Sequence, residues 1–360
     1  MAKIRVLVVD DAVVVRRLVA DALGSDPDLE VVGTAANGRL ALAKMPQLNP
    51  DVVTLDIEMP EMDGLETLKA IRKEWPKLPV IMFSTLTTRG GTSTLDALAL
   101  GATDYVTKPS ANGSITASME RVRAELISRI KVFAGRQQPD VLPVRRPAKP
   151  ALRTPPTISS RIDIVAIGVS TGGPEALGVV IPTLPANFPV PIVVVQHMPP
   201  LFTRLLAERL SAKSRIAVQE GQAGGALHPG SGWIAPGDYH MVVERHDPAR
   251  LSLNQAPPEN SCRPSVDVLF RSVAQAYGPH ALAVVMTGMG RDGLRGSEAI
   301  REAGGQVIAQ NEATSVVWGM PGFVAGAGLA ERVLPLSEIG PEIVRRTNVG
   351  RSPIREATWG

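Results

Sequence analysis

The sequence predicts two α/β domains, each built on a mostly parallel sheet. Three observations lead there. A length of 360 residues accommodates two domains at roughly 100–200 residues each. Short apolar, β-branched runs alternate with longer helical patterns, first up to residue 130 and again from residue 162. Between them, residues 136–157 hold six prolines, with five cations against one acid and almost no periodic apolar spacing. That composition marks a semi-extended linker.

In the first segment Ile4–Val9 reads as a strand, and a helical pattern follows to about Leu23. Further strands are expected at 31–35, 52–55, 80–83 and 105–106, with helices between them and a last helix near 115–130. Five strands alternating with helices predict a parallel sheet covered on both faces. The second segment starts with a strand at 162–169, a helix near 175–181, the strand Ile192–Gln196 and a helix at 201–210. Residues 214–256 are richer in Gly and Pro and are expected to form short antiparallel strands. A helix near Val266–Tyr277, a strand at 281–287, a helix at 294–303 and a strand at 306–309 complete the pattern. The expected domains are 1–130 and 159–350, with the linker at 131–158 and a tail at 351–360.

The formal net charge is +3. Residues 1–135 carry 16 cations and 17 acids, and residues 158–360 carry 17 of each, so the excess sits in the linker. Neither domain is basic, which argues against nucleic-acid binding and against a DNA-reading second domain. The one cysteine, Cys262, excludes a disulfide framework and suits a reducing compartment. The apolar run after the start ends at Asp10, too soon for a signal peptide, and no run of 18 apolar residues suggests a spanning helix. The expectation is a cytoplasmic monomer with no membrane insertion.

The first domain gathers acids at strand ends. Asp10 and Asp11 follow the first strand, and Asp56 ends the third. Ligands of parallel α/β sheets sit beyond the carboxyl ends of the strands. Three carboxylates there repel one another unless a cation neutralises them, and hard oxygen donors beside a phosphate suit Mg²⁺. Ser84 follows the fourth strand with a hydroxyl, and Lys108, before Pro109, follows the fifth with an ammonium. Asp56 is then a candidate phosphoryl acceptor. Any one of these residues alone would be a solvated loop group; the set after four strands of one pattern is not.

This segment resembles the receiver domains of two-component systems. Asp10-Asp11, Asp56-Ile-Glu-Met-Pro-Glu-Met-Asp-Gly64, Ser84 and Lys108-Pro109 carry the resemblance. It implies a five-stranded, flavodoxin-like receiver domain and phosphate transfer from a histidine kinase to Asp56. It also implies Mg²⁺ held by Asp11, Asp56 and the backbone carbonyl of Glu58 beside Asp10, and Ser84 with Tyr105 as the switch pair. Ala12 departs from the Ser that many receivers have there, without touching the chemistry.

In the second domain Gly168-Val-Ser170-Thr-Gly-Gly173 joins a strand to a helix and fits the G-x-S-x-G nucleophile elbow. Read alone, it is equally a phosphate cradle at a helix N-terminus. His197 ends the next strand, and Asp292 lies between the strand at 281–287 and a helix, where its plainest role is an N-cap. Together the three follow parallel strands on one sheet edge, where a Ser–His–carboxylate relay is geometrically available. The order Ser, His, Asp is not that of α/β-hydrolases. His240 is the rival base.

These motifs resemble the chemotaxis methylesterases. The resemblance rests on the Ser170 elbow, Gln196-His197-Met-Pro-Pro, Ile234-Ala-Pro-Gly-Asp238, Arg263-Pro-Ser-Val-Asp-Val-Leu-Phe270, Thr287-Gly-Met-Gly-Arg-Asp292-Gly and Ala309-Gln-Asn-Glu312. It implies a doubly wound α/β esterase domain that demethylates glutamate methyl esters, and deamidates glutamines, on methyl-accepting chemoreceptors. By that resemblance Ser170 is the nucleophile, His197 the base and then the acid, and Asp292 its orienter. Met289 is the matched oxyanion-hole position, Thr171 helps hold His197, and the ester reaction uses no cofactor. The resemblance also implies that the unphosphorylated receiver restrains the esterase; a tenfold activation needs only about 1.4 kcal/mol. A non-catalytic adaptor is the competing class, against which the complete triad argues. A metallohydrolase is disfavoured because residues 158–360 show no clustered ligand set.

Overall fold

The computed structural model describes residues 2–108, 115–135 and 161–351, except the side chains at 115–118 and 121. The expected linker core at 136–157, Pro109 and the tail beyond 351 lie outside the described residues. The chain divides into two compact units, Met1–Asp140 and Val141–Gly360.

In the first unit, β1 (Ile4–Val9), β2 (Leu29–Ala35), β3 (Val52–Asp56), β4 (Val80–Ser84) and β5 (Asp104–Thr107) form one sheet in the order β2-β1-β3-β4-β5. Every pairing is parallel. All five residues of β3 and of β4 are buried, as strands covered on both faces require. Between β1 and β3 the order of connection reverses, and this switch point places Asp10 beside Asp56.

The second unit holds β6 (Ile164–Val169), β7 (Ile192–Gln196), β8 (Ala217–Glu220), β9 (Ser231–Ile234), β10 (His240–Glu244), β11 (Arg250–Asn254), β12 (Ala281–Val285), β13 (Gln306–Gln310) and β14 (Arg332–Leu334). Seven of them make a sheet in the order β14-β13-β12-β6-β7-β9-β8, parallel in every pairing. Strands β6, β7, β12 and β13 are buried at every residue. β6 lies between β7 and β12, so the chain ends of these three strands meet at one edge. Phe270, Leu269 and Val266 of the helix Val266–Tyr277 pack in the core with them.

The antiparallel reading of residues 214–256 needs correction. Only β10 and β11 form an antiparallel hairpin. β8 and β9 extend the main sheet in parallel, β9 against β7 with Ile192 opposite Gly232. The crossover from β8 to β9 uses a Gly-rich loop where a helix would usually lie, so the sequence reads as a run of hairpins. Sequence reading also left out β14 and the helices Met320–Gly326 and Leu336–Thr347.

Candidate functional site

In the first unit the carboxyl ends of β1, β3 and β5 converge. Lys108 Nζ lies 2.8 Å from both Asp10 Oδ2 and Asp56 Oδ2. Both acids are buried. Asp10 Oδ1 accepts the Ala12 N–H at 2.9 Å, and its Oδ2 faces the Lys108 ammonium. Burial pushes the Asp56 carboxyl up to about 6; Lys108 opposes this, and the Asp10 charge adds to it. Burial also works against the Lys108 ammonium, but its contacts with Asp10 and Asp56 outweigh that and hold it above the usual lysine range. Carboxylate oxygens of Asp10, Asp11 and Asp56 all lie within 4.8 Å of one another, with Asp11 exposed to solvent. Two buried carboxylates and an exposed one, with a single ammonium between the buried pair, make a hard-oxygen set with net negative charge that fits Mg²⁺.

Ser84 and Tyr105 are both buried. The Thr94 hydroxyl donates to Ser84 Oγ at 2.6 Å, and Ser84 donates to the Gly90 carbonyl at 3.2 Å. Glu58 sits in the loop after β3, its side chain 3.4 Å from Arg89 Nε.

In the second unit Ser170 follows β6 directly. Gly172 adopts φ +76, a left-handed geometry that lets the chain turn sharply into the helix Gly173–Val180. A Cβ on Gly288 would fall 2.8 Å from Ser170 Cβ and 2.4 Å from Met320 Sδ, so this position tolerates no side chain. Gln196 pins the elbow, donating from Nε2 to the Ser170 carbonyl at 2.9 Å. Val169 and Gln196 are register partners, which brings Ser170 and His197 to adjacent strand ends.

His197 Nε2 lies 2.8 Å from Asp292 Oδ2. Asp292 is buried and accepts from six donors. Oδ2 takes His197 and the Val266 N–H (2.7 Å); Oδ1 takes Asn260 Nδ2 (2.9 Å), Ser265 Oγ (2.9 Å) and the N–H groups of Asp267 (3.0 Å) and Gly293 (3.1 Å). Two of these N–H groups begin the helix Val266–Tyr277, so Asp292 also sits at the positive end of a helix dipole. Burial works against its charge, but His197 and the backbone donors outweigh it and hold Asp292 well below the usual carboxylate range. Burial likewise opposes a charged His197, yet the Asp292 bond prevails and raises the imidazole above its ordinary value.

The structure therefore brings His197 and Asp292 together. Among the described residues no hydrogen bond joins Ser170 Oγ to His197. Cys262 Sγ lies instead 3.6 Å from His197 Nδ1. Thr171 is buried, its carbonyl accepting from Thr287 Oγ1 at 2.9 Å, and Met289 is half-buried in the loop between Ser170's neighbour Gly288 and Asp292. The rival His240 has both nitrogens engaged, Nε2 with the Pro257 carbonyl (3.1 Å) and Nδ1 with the Ser265 N–H (3.2 Å). It is buried as a structural residue. Sequence reading missed Asn260, Cys262 and Ser265 as neighbours of the pair; the only signal was their place just before and within the Arg263–Phe270 motif. No helix among the described residues is long and apolar enough to cross a membrane.

Residues 165–343 match the family described as CheB methylesterase, and residues 6–120 match the response regulator receiver domain. A protein of Trichodesmium erythraeum named protein-glutamate methylesterase/protein-glutamine glutaminase is 52% identical over 96% of this chain and 99% of its own. A Nocardioides protein of the same name is 57% identical over 96% of each chain. The crystal structure of the Thermotoga maritima CheB methylesterase catalytic domain covers 52% of this chain and 99% of its own, at 43% identity and a TM-score of 0.50. These findings define the class: a response regulator whose output domain is an α/β hydrolytic domain. The chain belongs to the CheB methylesterase family.

Proposed function

We infer that the protein is a phosphorylation-regulated protein-glutamate methylesterase and protein-glutamine deamidase that acts on chemoreceptors. The hydrogen-bonded His197–Asp292 pair, on the strand end next to the Ser170 elbow, supports this most directly.

With Asp292 ionised, His197 Nε2 carries the proton it donates, and Nδ1 keeps the lone pair. Nδ1 is then the general base. Ser170 Oγ attacks the γ-carbonyl of a glutamate methyl ester or glutamine and passes its proton to Nδ1. Asp292 stabilises the imidazolium. Backbone N–H groups, with Met289 in the loop that supplies them, stabilise the oxyanion, and Thr171 supports His197. His197 returns the proton to the departing methanol or ammonia. Water activated by the same nitrogen resolves the acyl-enzyme and leaves a glutamate carboxylate. Catalytic contacts of this kind are commonly loose before substrate binds, and the Cys262 thiol occupies the Nδ1 side meanwhile.

In the receiver, Asp56 accepts the phosphoryl group from a histidine kinase. Asp10, Asp11, Asp56 and the Glu58 carbonyl would hold Mg²⁺, which when bound neutralises charge on the phosphoryl oxygens. Lys108, already paired with Asp56, contacts the phosphoryl group, and Ser84 and Tyr105 carry the switch. The domain assignment follows: residues 1–130 sense phosphate and 159–350 hydrolyse.

The test is methanol release from a methylated chemoreceptor fragment in the presence of a small-molecule phosphodonor. Wild type is expected to release methanol, and Ser170→Ala to fall by at least about 10³-fold. Equal release from both would remove Ser170 as the nucleophile.

A further inference from the structure

Asn260 lies outside the triad, yet its side-chain nitrogen reaches two buried acids. Nδ2 donates to Asp267 Oδ2 at 2.8 Å and to Asp292 Oδ1 at 2.9 Å. A primary amide has two N–H donors, and here each is spent on a carboxylate. Both acids are almost wholly buried, 1% and 2% exposed, so their mutual repulsion is poorly screened by water. Burial lifts the Asp267 carboxyl, and the Asp292 charge adds to that lift.

The backbone around Asn260 is built to deliver this amide. Asn260 (φ +51) and Ser261 (φ +61) are consecutive left-handed residues, a conformation that Asn tolerates better than most side chains. Glu259 and Cys262 exchange backbone hydrogen bonds at 3.1 and 2.9 Å across this turn. Glu259 then grips Arg271 with both oxygens, at 2.7 and 2.6 Å, and anchors the turn to the helix Val266–Tyr277. The same turn carries Cys262 to His197. Asp267 is held separately, its Oδ1 accepting the Gly296 N–H at 2.6 Å.

We propose that Asn260 is a positioning residue of the hydrolytic site: by bridging Asp267 and Asp292 it sets how strongly Asp292 holds the proton of His197. This rests on the reading of His197 as the base. The sign follows from the charges. Without the amide, the repulsion from Asp267 falls unrelieved on Asp292, which gains proton affinity. Asp292 then holds the imidazolium more tightly, the His197 titration moves up, and less neutral base is present at a given pH. An Asp at position 260 cannot replace the amide, because it adds a third negative charge.

The experiment is a histidine NMR titration of the full chain, with His197 assigned by His197→Gln, run beside the pH profile of methanol release. Asn260→Ala is expected to raise the His197 midpoint by about one unit and to lower kcat/KM on the acid side about tenfold. Adding Asp267→Asn to Asn260→Ala removes the like charge and keeps the oxygen that accepts from Gly296. It is expected to return both readouts to within about threefold of wild type. A scaffold role alone would make the double variant no better than the single one, and that result overturns the proposal. Asp267→Asn alone provides the check if Asn260→Ala does not fold: it should lower the His197 midpoint, and an unchanged midpoint overturns the proposal. The titration needs no substrate. Expected shifts without methanol release by wild type would therefore sink the functional reading while leaving the coupling of Asn260 to His197 standing.

Discussion

His197 Nε2 lies 2.8 Å from Asp292 Oδ2, and this one bond leaves Nδ1, 3.6 Å from Cys262 Sγ, as the ring nitrogen not engaged with the carboxylate. In the mechanism proposed above, the thiol stands on the side of the ring that takes the Ser170 proton. Cys262 is the only cysteine in the chain, so a thiol reagent has one target. Iodoacetamide is expected to abolish methanol release by placing an amide against His197 Nδ1. Cys262→Ala is expected to keep activity within about tenfold and to be resistant to the reagent. Loss of activity in both proteins on alkylation would show that the block lies elsewhere.

Asp292 is not the N-cap that its place before the helix Leu294–Glu302 suggests: that cap is Gly293, with no side-chain bond. The oxygens of Asp292 accept from the first N–H groups of the helix Val266–Tyr277 and from His197 at once. An Asn at 292 could accept or donate at each oxygen position, but not serve six donors with a charge. Asp292→Asn is expected to lower kcat by about 10³–10⁴-fold with little change in KM. The wild-type profile should rise with pH through a His197 ionisation held above the ordinary imidazole value, since only the neutral ring accepts a proton. In Asp292→Asn that limb should move to lower pH. A limb that stays in place would mean another group titrates.

Ser84 is held by Thr94, whose hydroxyl lies 2.6 Å from Ser84 Oγ. In the switch proposed above, the Ser84 hydroxyl leaves this partner to reach a phosphoryl group on Asp56. On that reading the bond favours the unphosphorylated arrangement by about 1 kcal/mol. Thr94→Val removes the donor and keeps the shape. It is expected to lower the phosphodonor concentration for half-activation by roughly fivefold. An unchanged dose–response curve would show that Ser84 does not move on activation.

The sequence made the strands of both sheets and the residues at their carboxyl ends legible, because strands buried on both faces read as unbroken Val, Ile and Leu runs. Ile192–Gln196 and Val266–Tyr277 have the expected bounds. Less visible was anything set by pairing alone. β8 and β9 look like a hairpin until the register with β7 is known. β14 has three residues, too few for a pattern. Asp10, Asp56 and Lys108 meet as expected, and so do His197 and Asp292. Asn260 and Cys262 were hidden because a loop distant in sequence from His197 and Asp292 brings them there, and neither residue type signals that role.

Asp56 offers a test that needs neither kinase nor receptor. Its carboxyl is raised by burial to about 6, against roughly 3.9 for an unfolded Asp. The folded state therefore binds more protons than the unfolded state between these values. The contribution of this group to stability is complete below about pH 4 and is lost as pH rises through 6. Two units correspond to about 2–3 kcal/mol of strain at neutral pH. Asp56→Asn removes the charge and is expected to raise the receiver's unfolding temperature by several degrees at pH 7.5, with a much smaller gain at pH 4.5. Mg²⁺ should stabilise wild type at pH 7.5, where it neutralises the same repulsion among Asp10, Asp11 and Asp56, and should do far less for Asp56→Asn. Calorimetry of both proteins at the two pH values, with and without Mg²⁺, measures all of these differences. A gain from Asp56→Asn that is equal at both pH values would mean the strain is steric rather than electrostatic.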